Sequence, residues 1–280
     1  MRYKVIKGTF HVAGFSPDGD SIRFEADNLS NWDYFNWKTE KKKNKKSRQL
    51  RFEAIDALET HYKECHQPRS FGIASLEVML QMIGIENILY NIAFTRIVSA
   101  DDGVPGFIAA SALDVYQRPI SLVFPGDTPL RDGDELLSHE LPMEESINLK
   151  LIQLGLVYPA FYSSMQDDLI NQFSTETRTA RKNKVGIWSL DKTPKFTIWN
   201  KDTIENDIVI LPKLFRRLVS FFEREGTYDN LKKYMKKKRR DKVLVRSSGE
   251  NKKFSDLMEV NDREIMFLEE PENLIFNPKS

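Results

Sequence analysis

Two aspartates, one glutamate and one arginine carry the residue types from which a charged site can be built. Within the stretch 51–59, Arg51, Asp56 and Glu59 stand where a predicted strand runs out into a loop. Functional groups on a loop held by a rigid scaffold are a common way to make a site. Asp20 follows the turn Ser16-Pro17-Asp18-Gly19, strong turn chemistry between two strand-like runs, and is expected to open the second strand. Leu50, Phe52 and Ala54 alternate with Arg51 and Glu53, so strict alternation sets Arg51 and Asp56 on opposite faces. For both to reach one site the strand must break, and the expected break lies after Ile55. On the residues alone, a strand end with solvated charges is the reading that charge clusters at loop starts favour.

The elements that must position these groups read as strands first and helices later. Residues 3–15 and 21–26 are the first two strands. A long connection then holds Trp32, Tyr34, Phe35 and Trp37, followed by the basic run Lys41, Lys42, Lys43, Lys45, Lys46 and Arg48. Those aromatics either stack on bases or pack as a small cluster beneath the connection. Ser70 is a plausible N-cap for a helix with Ile73, Leu76, Met79, Leu80 and Ile83 on one stripe and Gly84 at its end. Residues 87–98 read as a strand, as do Phe107–Leu113 and Ile120–Phe124. Helices are expected from Pro142 to Gly155 and from Asp167 to Lys184, both with acids first and bases last, as the helix dipole favours. Beyond Asp191, an amphipathic helix carries Leu214, Phe215, Leu218, Phe221 and Phe222. A basic helix spans Tyr228–Arg240, and short strands surround Val243, Ile265 and Ile275.

The chain has 280 residues and a formal charge of +1, enough for one good core and a smaller second one. No apolar run is long enough for a membrane span and the first residues lack a secretory pattern, so a cytoplasmic, membrane-free protein is expected. The single cysteine, Cys65, excludes an internal disulfide, and the surrounding His61 and His66 match no standard zinc spacing. The basic runs are solvated faces or the footprint of a polyanion binder.

Five stretches in order, namely Asp18-Gly19-Asp20-Ser21, residues 51–59, Tyr116-Gln117-Arg118, residues 148–156 and residues 180–189, resemble the thermonuclease family, the staphylococcal or micrococcal nuclease-like proteins. The resemblance implies an α+β fold, a five-stranded Greek-key β-barrel of the oligonucleotide-binding type with three helices, over residues 1–191. Residues 192–280 are expected as a small appended α/β domain that offers a surface for a further partner, and residues 99–113 as part of an insertion. The resemblance also supplies the break after Ile55. It implies calcium-dependent hydrolysis of DNA or RNA phosphodiesters by an endonuclease, with Asp20, Asp56 and the Ala57 carbonyl as metal ligands. Arg51 and Arg118 would fork onto the phosphate, and Glu59 would orient or deprotonate the attacking water. Tyr116, Tyr162 and Phe161 would line the nucleic-acid site. Ala57 and Leu58 stand where the family has threonine and proline, Val115 where it has a phosphate-contacting lysine, and Phe161 and Ser163 where it has two tyrosines. The alternative is a nucleic-acid-binding barrel without turnover.

Overall fold

The computed structural model describes residues 2–39, 45–224, 228–237 and 241–278. Lys41, Lys42 and Lys43 of the first basic run and the last three residues of the expected basic helix lie outside the described residues.

In chain order the principal strands are β1 (Tyr3–His11), β2 (Arg23–Ala26), β3 (Ser47–Gln49), β4 (Arg51–Phe52), β5 (Ala54–Asp56), β6 (Val104–Leu113), β7 (Pro119–Pro125), β8 (Tyr158–Tyr162), β9 (Lys242–Val245), β10 (Glu250–Lys253) and β11 (Leu274–Phe276). The helices are α1 (Arg69–Ile83), α2 (Ile147–Gln153), α3 (Asp167–Lys182), α4 (Pro212–Phe222) and α5 (Leu231–Met235). The fold is mixed α+β. A curled sheet runs β3-β2-β1-β6-β7-β4, and a second runs β10-β9-β11-β8-β5. If the run from Ser47 to Asp56 is taken as one interrupted strand, it belongs to both sheets.

That interruption governs the site. Arg51 pairs with Ile120 of β7 in the first sheet, whereas Asp56 pairs with Tyr158 of β8 in the second. The chain changes sheet at Glu53 and Ala54, and Ala54 takes φ +70°, a left-handed conformation that a residue with a Cβ adopts only under constraint. The expected break after Ile55 therefore falls earlier, before Ala54. Its effect on parity is the one required, because a straight strand would separate Arg51 from Asp56. Asn148 secures the bend, its Nδ2 donating to the carbonyls of Glu53 at 2.9 Å and Ser121 at 3.1 Å.

Helix α1 matches its apolar stripe and ends at Gly84 with φ +94°, although Ser70 lies inside the helix and Pro68 occupies the N-cap. Val104–Leu113, expected partly within an insertion, is instead central strand β6 between β1 and β7, with Phe107 to Ala110 wholly buried. The extra piece lies earlier, a hairpin of Leu89–Tyr90 with Ile97–Ser99. The aromatic connection packs inward: Trp32 and Phe35 are buried, and the Arg48 guanidinium lies 4.1 Å from the Trp37 ring.

The C-terminal segment does not stand apart as an appended domain. β11 lies between β9 and β8, pairing Ile275 with Phe161 in parallel. A single apolar cluster joins Leu58, Tyr158 and Trp188 to Leu214, Phe215, Leu218, Val243 and Phe254. Leu214, Phe215 and Leu218 are wholly buried, each contributing about 1.5–3 kcal/mol of apolar burial. Helix α4 is thus firmly held against the loop that follows β5. Among the described residues no helix is long and apolar enough to cross a membrane.

Candidate active site

The turn that carries Asp18 and Asp20 is pressed against α1. A methyl group added at Gly19 would overlap Ser75 Oγ and lie 3.0 Å from the Ala57 Cβ, so only glycine permits this approach. Asp18 accepts from the Ser21 hydroxyl, and Asp20 Oδ2 accepts from the Ala57 N–H at 3.2 Å. Asp20 does not open β2, which begins at Arg23, but stands in the turn before it. Burial, then the neighbouring carboxylates Asp18, Asp56 and Glu59, push Asp20 well above the usual carboxylate range. The acids therefore share one crowded field that calls for a cation.

That cation is supplied by the chain itself. Arg216 on α4 donates from Nη2 to Asp56 Oδ2 at 2.6 Å and from Nη1 to Asp56 Oδ1 at 3.1 Å. The same Nη1 donates to Glu59 Oε1 at 2.5 Å. Burial opposes the charge on Arg216, but Asp56 and then Glu59 outweigh it and hold the guanidinium protonated. Burial raises the Glu59 carboxyl to about 7, with Arg216 working against that rise and Asp56 adding to it. Nothing in the sequence pattern marks Arg216. It falls on the polar side of the helix, opposite Leu214 and Leu218, where amphipathicity assigns a side chain to water.

Gln67, also missed from the sequence, braces the loop. Its N–H donates to the Glu59 carbonyl at 2.8 Å, its Oε1 accepts from the Glu59 N–H at 3.3 Å, and its Nε2 donates to the Ile210 carbonyl at 2.7 Å.

Arg51 donates to the Tyr162 hydroxyl at 2.9 Å with its guanidinium 5.0 Å from the ring. Burial works against its charge, and Tyr162, Asp56 and Asp20 together raise it. Tyr162 therefore positions Arg51. Arg118 ends the β6–β7 turn, two residues before the Ile120 that pairs with Arg51. Its Nε donates to Asp114 Oδ2 at 2.8 Å, and Asp114 Oδ1 also accepts the backbone N–H groups of Tyr116 and Arg118, both at 2.9 Å. Among the described residues the terminal nitrogens of Arg118 make no hydrogen bond or ion pair, and the guanidinium lies 5.7 Å from the Tyr116 ring centre. The structure thus joins Asp20, Arg51, Asp56, Ala57 and Glu59, and holds Arg118 on the adjoining turn.

Tyr116 is 73 % exposed, with the Arg118 guanidinium 5.7 Å from its ring centre. Phe161 is wholly buried within the main apolar core. Its assignment to a nucleic-acid surface is corrected accordingly.

Calcium was expected on Asp20, Asp56 and the Ala57 carbonyl. Those are hard oxygen donors of the right chemistry, but both Asp56 oxygens are engaged by Arg216. Among the described residues no three acidic, histidine or cysteine side chains are arranged to hold a metal ion. In this arrangement the residues do not fit the ion.

A family model described as staphylococcal nuclease homologue matches residues 49–190, the span that holds Arg51, Asp56, Glu59 and Arg118. Among curated proteins nothing matches the chain.

Proposed function

The chain belongs to the staphylococcal nuclease homologue family, and from that premise we propose that it hydrolyses phosphodiester bonds in DNA or RNA, on an oligonucleotide-binding barrel. The observation that carries this reading is the bend before Ala54, which brings Arg51 from one sheet and Asp56 and Glu59 from another to one loop beside Asp20. A module that only binds a polyanion has no use for clustered carboxylates, which repel phosphate.

In this reading Arg51, oriented by Tyr162, forks onto the phosphate, and the terminal nitrogens of Arg118 meet it from the neighbouring turn. Their charges stabilise the negative charge that builds on the phosphoryl oxygens. Water attacks phosphorus, its proton passes to Glu59, and the bond to the leaving oxygen breaks as that oxygen takes a proton from solvent. Glu59 can accept that proton only after releasing Arg216. Tyr116 supplies an exposed face on which a base stacks.

A second reading, a binding barrel without turnover, is favoured by one specific observation: Arg216 engages Asp56 and Glu59 together. Cleavage of labelled single-stranded DNA, duplex DNA and RNA, with calcium and with a chelator, separates the two. Hydrolysis that Glu59→Gln and Arg51→Ala each lower by about a hundredfold or more supports the enzyme. Binding without cutting under every divalent ion tried, in wild type and in Arg216→Ala alike, assigns the protein to the second reading.

A further inference from the structure

We propose that the outer face of β1, β2 and β3 carries a second nucleotide subsite, in which Arg23 holds a phosphate of a single strand and the pocket beside it takes the attached base. This rests on the reading of nucleic acid as the substrate, but not on hydrolysis.

Strand register assembles the site. His11 pairs with Arg23 and Arg23 with Gln49, so the three side chains form a row on one face of three adjacent strands. The neighbouring Phe10 and Phe24 are wholly buried, which turns the row outward. A pocket of about 240 Å³ opens along it, bordered also by Phe15, Pro17 and Ile22. That volume lies below the about 300–1,000 Å³ of drug-sized ligand sites. It suits one base splayed out of its stack, which a single strand can offer and a duplex cannot. Gln49 presents an amide to the edge of such a base.

Arg23 is the charge left over on this face. His11 is engaged by Thr9 at 2.8 Å and by Asp102 at 3.2 Å, and Glu25, two residues beyond Arg23, pairs with Lys46. The Arg23 guanidinium lies 4.2 Å from the Phe15 ring centre, and among the described residues it makes no hydrogen bond or ion pair. Burial lowers it from its ordinary value. Seated against the ring, it keeps its N–H groups for a forked contact with phosphate. The row also leads to the site already described. The Leu50 N–H donates to the Ile22 carbonyl at 2.7 Å and the Phe52 N–H to the Asp20 carbonyl at 2.9 Å, so pairing continues from β3 into β4. Gln49 and Arg51 therefore face the same way about 7 Å apart. A strand with one phosphate at Arg51 reaches Arg23 with a neighbouring one.

Binding to the full chain in the presence of a chelator tests this without reference to cleavage. The probes are a labelled single-stranded hexanucleotide and its duplex, followed by fluorescence anisotropy, and a nucleoside monophosphate, followed by calorimetry. Arg23→Ala is expected to weaken hexanucleotide binding by about tenfold and to reduce its salt slope by about 0.7. The monophosphate, which is too short to span from Arg51 to Arg23, should bind as it does to wild type. If Arg23→Ala holds the hexanucleotide as tightly as wild type, or if wild type does not bind it, the subsite is wrong. An equal loss for duplex and single strand would reduce Arg23 to a general basic charge, and an equal loss for the monophosphate would make the pocket a site for free phosphate. Either result overturns the proposal. Should Arg23→Ala fail to fold, Arg23→Gln, which keeps a side-chain stem beside Phe15, gives the same comparison. Hexanucleotide binding that depends on Arg23, with no cleavage under any divalent ion, would refute the hydrolase reading while leaving the subsite intact.

Discussion

Gln67 hydrogen-bonds Ile210 through its buried side-chain amide at 2.7 Å while its backbone N–H holds the Glu59 carbonyl at 2.8 Å, so one residue joins the acidic loop to the approach of α4. Gln67→Leu leaves the Ile210 carbonyl without this donor and is expected to cost about 1–3 kcal/mol. Urea unfolding measures it, and an unchanged midpoint would show that the brace contributes nothing.

Arg51→Lys keeps the positive charge and loses the fork. Hydrolysis should fall by about a hundredfold or more with a much smaller effect on stability. Tyr162→Phe removes only the hydroxyl that orients Arg51, and should lower turnover by much less. Steady-state kinetics on one oligonucleotide ranks the two, and the reverse order would displace Arg51 from the phosphate.

Asp114→Ala removes the acceptor for two backbone N–H groups and for Arg118 Nε. A loss of about 1–3 kcal/mol is expected, together with slower hydrolysis as Arg118 loses its orientation. Chemical denaturation and kinetics on the same preparation check both.

Glu53, at the bend itself, supplies a pH dependence of stability through a carboxyl outside the Asp20, Asp56 and Glu59 cluster. Burial raises its carboxyl to about 7, against hydrogen bonds from Tyr3 and Ser111 and the charge of Arg51. Because the folded value lies above the unfolded one, the folded chain retains a proton that the unfolded chain releases. Stability is greatest below the ordinary value of 4.5 and is lost as pH rises to about 7, by on the order of 3 kcal/mol. Glu53→Gln carries no charge in either state, so its urea midpoint should fall less between pH 5 and pH 8 than that of wild type. Parallel slopes would remove Glu53 from the account.

Much of this was legible in the chain. The turn before Asp20, the stripe of α1 and the acids opening α3 follow from local chemistry, and the ordered motifs located Arg51, Asp56 and Glu59. The rest depended on contacts distant in sequence. The bend before Ala54 is enforced by Asn148 and by two different pairing strands, and no local signal records that. Phe161 reads as a candidate contact, whereas its side chain belongs to the main apolar core. Arg216 reads as a solvated charge because helical spacing reports which face is apolar, not which carboxylates the polar face will meet.

The position of β11 has a consequence for biosynthesis. Its partners are β8, on the order of a hundred residues earlier, and β9, so loop closure must precede the pairing that completes the second sheet. A nascent chain that has emerged only through α3 lacks both β11 and the helix that neutralises its acidic loop. Folding of this half is expected to finish late, after synthesis has passed Phe276. The same contact ensures that any chain with a completed second sheet also contains Arg216, so the carboxylates acquire their internal counter-charge before the protein meets its substrate.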